Sequence, residues 1–228
     1  MVKKRTDTME DYLKTVYKIT SQKDRASTGE IADKLGVAPA SVTEMVQRLA
    51  SADPPLLVYR KHQGASLTPE GEQIALETLR HHRLLELFLH EILGYSWDQV
   101  HEEAEILEHV ISEYFEERVA EVLGDPGQGI HGEPIPSRAL EMSSHPEIYL
   151  HDLRPTQRGV IRSVRDDDPG FLRYLLKLRV TPGTKFQVRE FSPYDHILYL
   201  IVEGQEEEIA LGESATAQIL VEIIEDAD

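Results

Sequence analysis

The stretch STGEIADKLGVAPASVTEMVQRL, residues 27–49, decides how this chain is read. Ser27 and Glu30 stand at the spacing of a capping box, Ile31, Ala32 and Leu35 follow at helical intervals, and Gly36 closes the segment. Pro39 then suits the first turn of a second helix, in which Val42, Met45, Val46 and Leu49 fall at i, i+3, i+4 and i+7. Two short helices joined by a tight turn are the result. Upstream, Thr8 with Asp11 three residues on predicts the cap of a helix carrying Tyr12, Leu13, Val16, Tyr17 and Ile19 and stopping near Ser21. Downstream, residues 56–60 and 65–67 are short apolar runs flanking the basic turn Lys61-His62-Gln63-Gly64, which reads as a two-stranded wing. Residues 1–75 are therefore expected to form a winged helix-turn-helix domain.

Beyond it, Thr68-Pro69 predicts the start of a long helix running to Leu93 and closed by Gly94. Ser96 to Gln99 reads as another capping box, opening a helix that lasts to Leu123 and ends at Gly124. This gives a helical domain over residues 76–140. Gly, Pro, Ser and His without sustained period follow, with a linker at 141–157. Residues 158–228 carry short apolar runs broken by Pro-Gly and Glu-Gly and predict a small antiparallel β-barrel. The fold class is α+β.

Charge separates these parts. Residues 1–75 hold 11 Lys and Arg against 10 Asp and Glu, whereas the rest of the 228-residue chain holds 13 against 31. A near-neutral head can approach DNA if its cations face one way; an acidic body repels phosphate and attracts metal cations. The chain has no cysteine, which excludes disulfides, thiolate metal ligands and a cysteine nucleophile. Without a signal-peptide core or an apolar run of about 20 residues, a soluble cytoplasmic protein with no membrane partner is expected.

The chemistry-bearing residues concentrate on the helix expected from Ser96. His101, Glu105, Glu108 and His109 fall within roughly 100° of one helical face, beside an apolar stripe. Buried carboxylates and imidazoles point to a metal site; an acidic helix face is equally the pattern of solvated surface. His82 and Glu86, at i and i+4 on the preceding helix, can face the same place, and Asp11 is a further carboxylate. His81, His90, His145, His151 and His196 read as surface or capping residues. In the head, Ala38, Pro39, Ala40, Ser41, Thr43 and Gln47 are small or hydrogen-bonding groups suited to base edges in a major groove. Arg60 and Lys61 of the wing, with Lys3, Lys4 and Arg5, suit phosphates.

Taken in order, Glu10-Asp11-Tyr12-Leu13, Ile31-Ala32, Ser41-Val42-Thr43, Leu67-Thr68-Pro69-Glu70-Gly71, His82-Arg83-Leu84-Leu85-Glu86, residues 100–105, Glu108-His109 and residues 131–136 resemble the DtxR/MntR family of metalloregulators over essentially the full length. The resemblance implies a homodimer joined through the helical domain, an SH3-like (FeoA-like) third domain, and double-stranded operator DNA as partner. It implies no enzymatic activity. It further implies a primary metal site from Asp11, Glu105, Glu108 and His109 with His82. An ancillary site would draw on Glu86, His101, His131 and acidic residues such as Asp166, Asp167 or Asp168. Carboxylates at positions 11 and 105, where the iron-sensing branch has Met and Cys, favour Mn2+, with Fe2+ the alternative. Lys14 stands where some manganese repressors have a Glu ligand, so a binuclear arrangement does not carry over. The expected function is a Mn2+-dependent regulator that represses metal-uptake genes. The alternatives are an iron-responsive regulator of the same family, a winged-helix regulator with a small-molecule effector, a metal-dependent hydrolase, or a metal-buffering protein.

Overall fold

The computed structural model describes residues 5–143, 146–165 and 168–224. The chain divides into two compact units that interleave in sequence: Met1–His82, Glu105–Glu116 and Pro136–Met142 make one, and Arg83–Ala104, Glu117–Ile135 and Ser143–Asp228 the other.

The first unit opens with α1 (Asp7–Thr20). Thr8 does not cap it. Thr6 is the half-in residue, its carbonyl accepting the first helical bonds and its side chain making no cap bond, while Asp7 and Glu10 lie favourably at the positive end of the helix dipole. The box at α2 (Thr28–Leu35) forms as expected: Ser27 Oγ accepts from the Glu30 backbone N–H at 3.2 Å, and Glu30 Oε2 accepts from the Ser27 N–H at 3.0 Å. The neighbouring Lys23 ammonium, with these bonds, pulls the Glu30 carboxyl down to about 2. Gly36 takes φ +63° and lets α3 (Pro39–Ala50) begin at once. Tyr12, Leu13 and Val16 of α1, Ile31 of α2 and Val42, Val46 and Leu49 of α3 bury one shared core.

The wing is the antiparallel pair β1 (Leu57–Arg60) and β2 (Gly64–Leu67). Ala26 joins it as a third edge, exchanging two backbone hydrogen bonds of 2.8 Å with Ala65. This closeness explains Gly64. At φ +91° it sits where a Cβ would lie 2.3 Å from the Ala26 carbonyl oxygen.

Thr68 Oγ1 accepts from the Gly71 N–H at 3.1 Å and starts α4 (Pro69–Glu91), two residues shorter than expected. The single helix expected from Ser96 to Leu123 is two, α5 (Val100–Leu107) and α6 (Glu113–Val122). Two local hydrogen bonds explain the difference. Ser96 gives its hydroxyl to Asp98 Oδ1 at 2.8 Å instead of capping, and Ser112 Oγ accepts from the Phe115 N–H at 3.3 Å, capping a new helix after the turn at residues 108–110.

In the second unit, Leu84 packs with Val119, Ala120 and Ile135. The remaining chain forms β3 (Ile148–Tyr149), β4 (Arg158–Val164), α7 (Pro169–Lys177), β5 (Lys185–Ser192), β6 (Ile197–Val202), β7 (Ile209–Leu211), α8 (Glu213–Thr216) and β8 (Ile219–Ile223). The strands make one antiparallel sheet in the order β3-β8-β4-β5-β6-β7. Their alternating inward residues share a core with Leu172 and Leu175 of α7. β3 falls inside the stretch read as linker. Among the described residues no helix is long and apolar enough to cross a membrane.

Candidate functional site

Three elements of the first unit meet at a cluster of ionisable side chains. Helix α1 presents Glu10, Asp11 and Lys14, α4 presents His82, and the end of α5 with the turn after it presents Glu105, Glu108 and His109. Glu108, with no exposed side-chain surface, is the hub. Its Oε1 is 2.5 Å from Lys14 Nζ, its Oε2 is 2.5 Å from His82 Nδ1, and His109 Nε2 lies 3.5 Å from Oε1. Lys14 also reaches Glu105 Oε1 at 2.7 Å. His109 spans two carboxylates of α1, with Nδ1 at 2.7 Å from Glu10 Oε2 and Nε2 at 2.9 Å from Asp11 Oδ1. The end of α5 at Leu107 matters here: Glu108 and His109 leave the helical register and reach α1 from a turn.

The electrostatics are those of crowded, part-buried carboxylates offset by an ammonium and two imidazoles. Burial raises the Asp11 carboxyl above its ordinary value, and the nearby charges of Glu105 and Glu108 raise it further, against the opposing pull of His109 and Lys14. Burial alone would lower the His109 imidazole; the hydrogen bond to Glu10 and the charges of Glu108 and Asp11 outweigh it and raise the pKa. Asp11 Oδ1 is out of solvent and has no aligned hydrogen bond, despite its closeness to His109. Ligand atoms of Asp11, Glu108 and His109 lie within 4.8 Å of one another, as do those of His82, Glu105 and Glu108. An orphaned buried carboxylate oxygen within an oxygen-rich set completed by imidazoles fits a hard divalent cation.

A second, smaller group lies in the other unit. His101 Nδ1 is 3.2 Å from Glu86 Oε1, and His131 Nε2 is 4.0 Å from the same oxygen. His131 is 1% exposed, its ring 4.9 Å from Trp97, and both its ring nitrogens lack a hydrogen-bond partner. Its backbone is held by the Val164 N–H at 2.9 Å, and the next residue, Gly132 at φ +84°, sits where a Cβ would lie 1.9 Å from the Arg162 carbonyl oxygen. The four ligand candidates read on one face from His101 to His109 thus divide between the two units. Asp168 Oδ1 accepts from the Phe171 N–H at 2.7 Å and caps α7. Asp166 and Asp167 lie outside the described residues, as does His145.

Two participants escaped the sequence reading. Glu10 precedes Asp11 and carried no separate signal, because adjacent residues on a helix point about 100° apart and spacing alone does not say which faces the site. His81, read as a surface residue, is 7% exposed. Its Nδ1 is 3.1 Å from the Glu108 backbone oxygen, and its Nε2 is 3.0 Å from Glu116 Oε2, while Arg80 joins Glu116 Oε1 at 2.5 Å and the Pro136 carbonyl at 2.7 Å.

On the head, Ala38, Pro39, Ala40, Ser41 and Gln47 are exposed at the start and along the outer face of α3, and Arg60 and Lys61 are exposed on the wing. Thr43 differs from expectation. Its hydroxyl folds back onto the Pro39 carbonyl at 3.0 Å, which satisfies it within the helix. Arg5 is paired with Glu77 Oε2 at 2.7 Å rather than free for phosphate, and Lys3 and Lys4 lie outside the described residues.

A winged helix-turn-helix whose first helix supplies carboxylates to a buried cluster of carboxylates and imidazoles fits one class: ligand-responsive DNA-binding regulators. Comparison with known proteins narrows it. Residues 4–65 match the N-terminal DNA-binding domain of iron-dependent repressors, residues 68–137 their metal-binding and dimerisation domain, and residues 148–223 the FeoA domain. The iron-dependent repressor IdeR of Mycobacterium leprae is 30% identical over 214 residues, covering 88% of this chain and 90% of IdeR. The regulator MntR of Listeria monocytogenes is 38% identical over 118 residues, 52% of this chain and 81% of MntR. Among solved structures, a manganese-dependent transcriptional repressor in complex with manganese superposes with a TM-score of 0.87 at 31% identity, covering 95% of this chain and 100% of its own. ScaR with bound Zn2+ gives a TM-score of 0.80 at 33% identity, over 95% and 99%. The chain belongs to the DtxR/MntR family of metal-dependent transcriptional repressors, with an SH3-like FeoA domain at its C-terminal end.

Proposed function

We propose that this protein is a Mn2+-responsive repressor that acts in the cytoplasm as a homodimer and, when loaded, binds the operators of metal-uptake genes. The observation that carries the proposal is the cluster of Asp11, His82, Glu105, Glu108 and His109, which joins the first helix of the DNA-binding head to α4 and to the turn after α5. These residues would hold the ion, and a divalent cation there supplies charge neutralisation and bonds to carboxylates that otherwise repel one another. Asp11 and Glu10 then restrain α1 against His109 and Glu108, and α1 carries the rest of the head through its shared core with α2 and α3. A head confined to one orientation binds an operator more tightly by the inverse of the fraction of competent conformers it showed before. Two heads in a symmetric dimer read two half-sites at fixed spacing.

The apolar side chains Ile106, Val110 and Tyr114, 66%, 72% and 73% exposed, support a dimer seam on the helical domain, the part matched to the family's dimerisation domain. Glu86, His101 and His131 are the residues we assign to an ancillary ion. The oxygen-rich donor set favours Mn2+; kinship with an iron-dependent repressor keeps Fe2+ as the second reading.

The test is titration of EDTA-stripped protein with Mn2+, with Fe2+ under anaerobic conditions and with Zn2+, following bound metal and binding to promoter-derived duplexes at fixed salt. Mn2+-dependent DNA binding that Asp11→Ala and His109→Ala each reduce at least about tenfold is expected, since even the loss of a group that only orients a metal ligand typically costs about 10- to 100-fold. DNA binding indifferent to every metal and to both substitutions would put a small-molecule effector in place of the ion.

A further inference from the structure

Helix α3 turns Val42, Val46 and Leu49 into the core of the head, so Ala40, Glu44 and Gln47, at i, i+4 and i+7, form the opposite, exposed face. Glu44 stands in the middle of that face. Among the described residues its side chain has no ion pair and no hydrogen bond. Arg48, one turn on and the natural i+4 partner, directs its guanidinium to the Met45 sulfur at 2.8 Å. A bare carboxylate thus occupies the centre of the face that, on the DNA-binding reading, enters a groove walled by phosphates. Ala40 offers no polar group beside it, and Thr43 has its hydroxyl bonded back to the Pro39 carbonyl.

Such a charge lowers affinity for any DNA unless the base edge it meets donates hydrogen bonds. In the major groove only two groups donate, cytosine N4–H2 and adenine N6–H2. Guanine offers two acceptors and thymine one, and both repel a carboxylate. Adenine places its N7 acceptor beside the amino group, so a carboxylate gaining one bond there faces a lone pair as well; cytosine has no acceptor on its own major-groove edge.

We propose that Glu44 is a specificity-determining residue that selects a C·G base pair in each half-site by accepting a hydrogen bond from cytosine N4. The inference rests on the DNA-binding reading above and names one element of its sequence preference.

The experiment is selection of duplexes from a random library by the Mn2+-loaded full-length protein at fixed salt, followed by fluorescence anisotropy on the selected duplex and on duplexes altered at single positions. The wild-type protein is expected to retain a cytosine at one symmetry-related position in each half, and replacing that pair should weaken binding roughly tenfold to a hundredfold. Glu44→Ala should lose that preference alone while keeping the rest of the selected sequence. Glu44→Gln should move it to adenine, whose N6 and N7 suit an amide. Because Glu44 is exposed, both variants should keep wild-type Mn2+ affinity and circular dichroism. The proposal is overturned if the selected sequence is the same for all three proteins, or if Glu44→Ala tightens every duplex equally, which would make the carboxylate a phosphate repellent only. If the wild-type protein retains no duplex with or without metal, the DNA-binding reading fails and takes this one with it.

Discussion

Lys14 places an ammonium in the midst of Asp11, Glu105 and Glu108, and this changes what the metal-free site is expected to do. Carboxylates left to repel one another would loosen the head, but Glu108 is bonded by Lys14 and His82 on its two oxygens. Part of the work of a cation is therefore done by the side chain itself. Lys14→Met should cost the EDTA-treated protein about 3 kcal/mol, the order found when one partner of a buried pair is removed, as judged by urea denaturation. The same variant should bind Mn2+ roughly tenfold more tightly, because a like charge next to the ion is gone. Unchanged stability together with unchanged affinity would contradict both expectations. His109 sets the pH dependence. Its raised pKa means that the protonated ring stabilises the metal-free fold at and below the ordinary histidine value of 6.5, and that this contribution is lost as pH climbs through the raised value. A metal ligand must be deprotonated, so Mn2+ should raise the melting temperature more at about pH 8 than at about pH 6. A larger gain at the lower pH would exclude His109 as a ligand. At this scale helical spacing singled out His82 and Glu108, which the structure brings together, whereas Asp11 was read only as a further carboxylate. It misplaced His81 on the surface, because residues 78–82 are buried consecutively and a helix packed on several sides has no polar face to betray its phase.

The wing shows the same division at the scale of elements. Its two strands follow from short apolar runs around a basic turn, but the third edge at Ala26 does not, since a single bridge leaves no periodic mark. Only the glycine at 64 registers it. Gly64→Ala should cost about 1–3 kcal/mol for the backbone conformation alone, and more for the overlap with Ala26. A thermal scan of the metal-loaded variant that matched the wild type would disprove this. The break between α5 and α6 was invisible for a related reason. Helical spacing continues through residues 108–112, and a serine cap competes with an unbroken helix by about 1 kcal/mol, too little to be decided without the packing around it. That small term moves two metal-ligand candidates off the helix, and through them decides which residues of α1 can share the site.

At the scale of the whole molecule, the dominant features are an acidic body, a near-neutral head and a seam of exposed apolar residues. Tyr114→Glu should convert a dimer into a monomer in sedimentation velocity and, with two half-sites no longer coupled, weaken operator binding even at saturating Mn2+. A variant that remained dimeric would place the seam elsewhere. The order of winged head, helical domain and β domain could be read from charge, caps and period, because each belongs to one stretch of chain. The interleaving of the two compact units could not, since it depends on which segments of α4, α5 and α6 pack together, and helical periodicity is the same on both sides of each division. The backbone contact between Gly132 and Arg162 has a bearing on what the third domain supports. His131, the least exposed histidine of its group, owes its placement to a strand of the terminal sheet as much as to its own loop. A chain without this sheet would lack the support of that imidazole even with Glu86 and His101 kept on their helices, so His131 depends on the third domain in a way that its two neighbours do not.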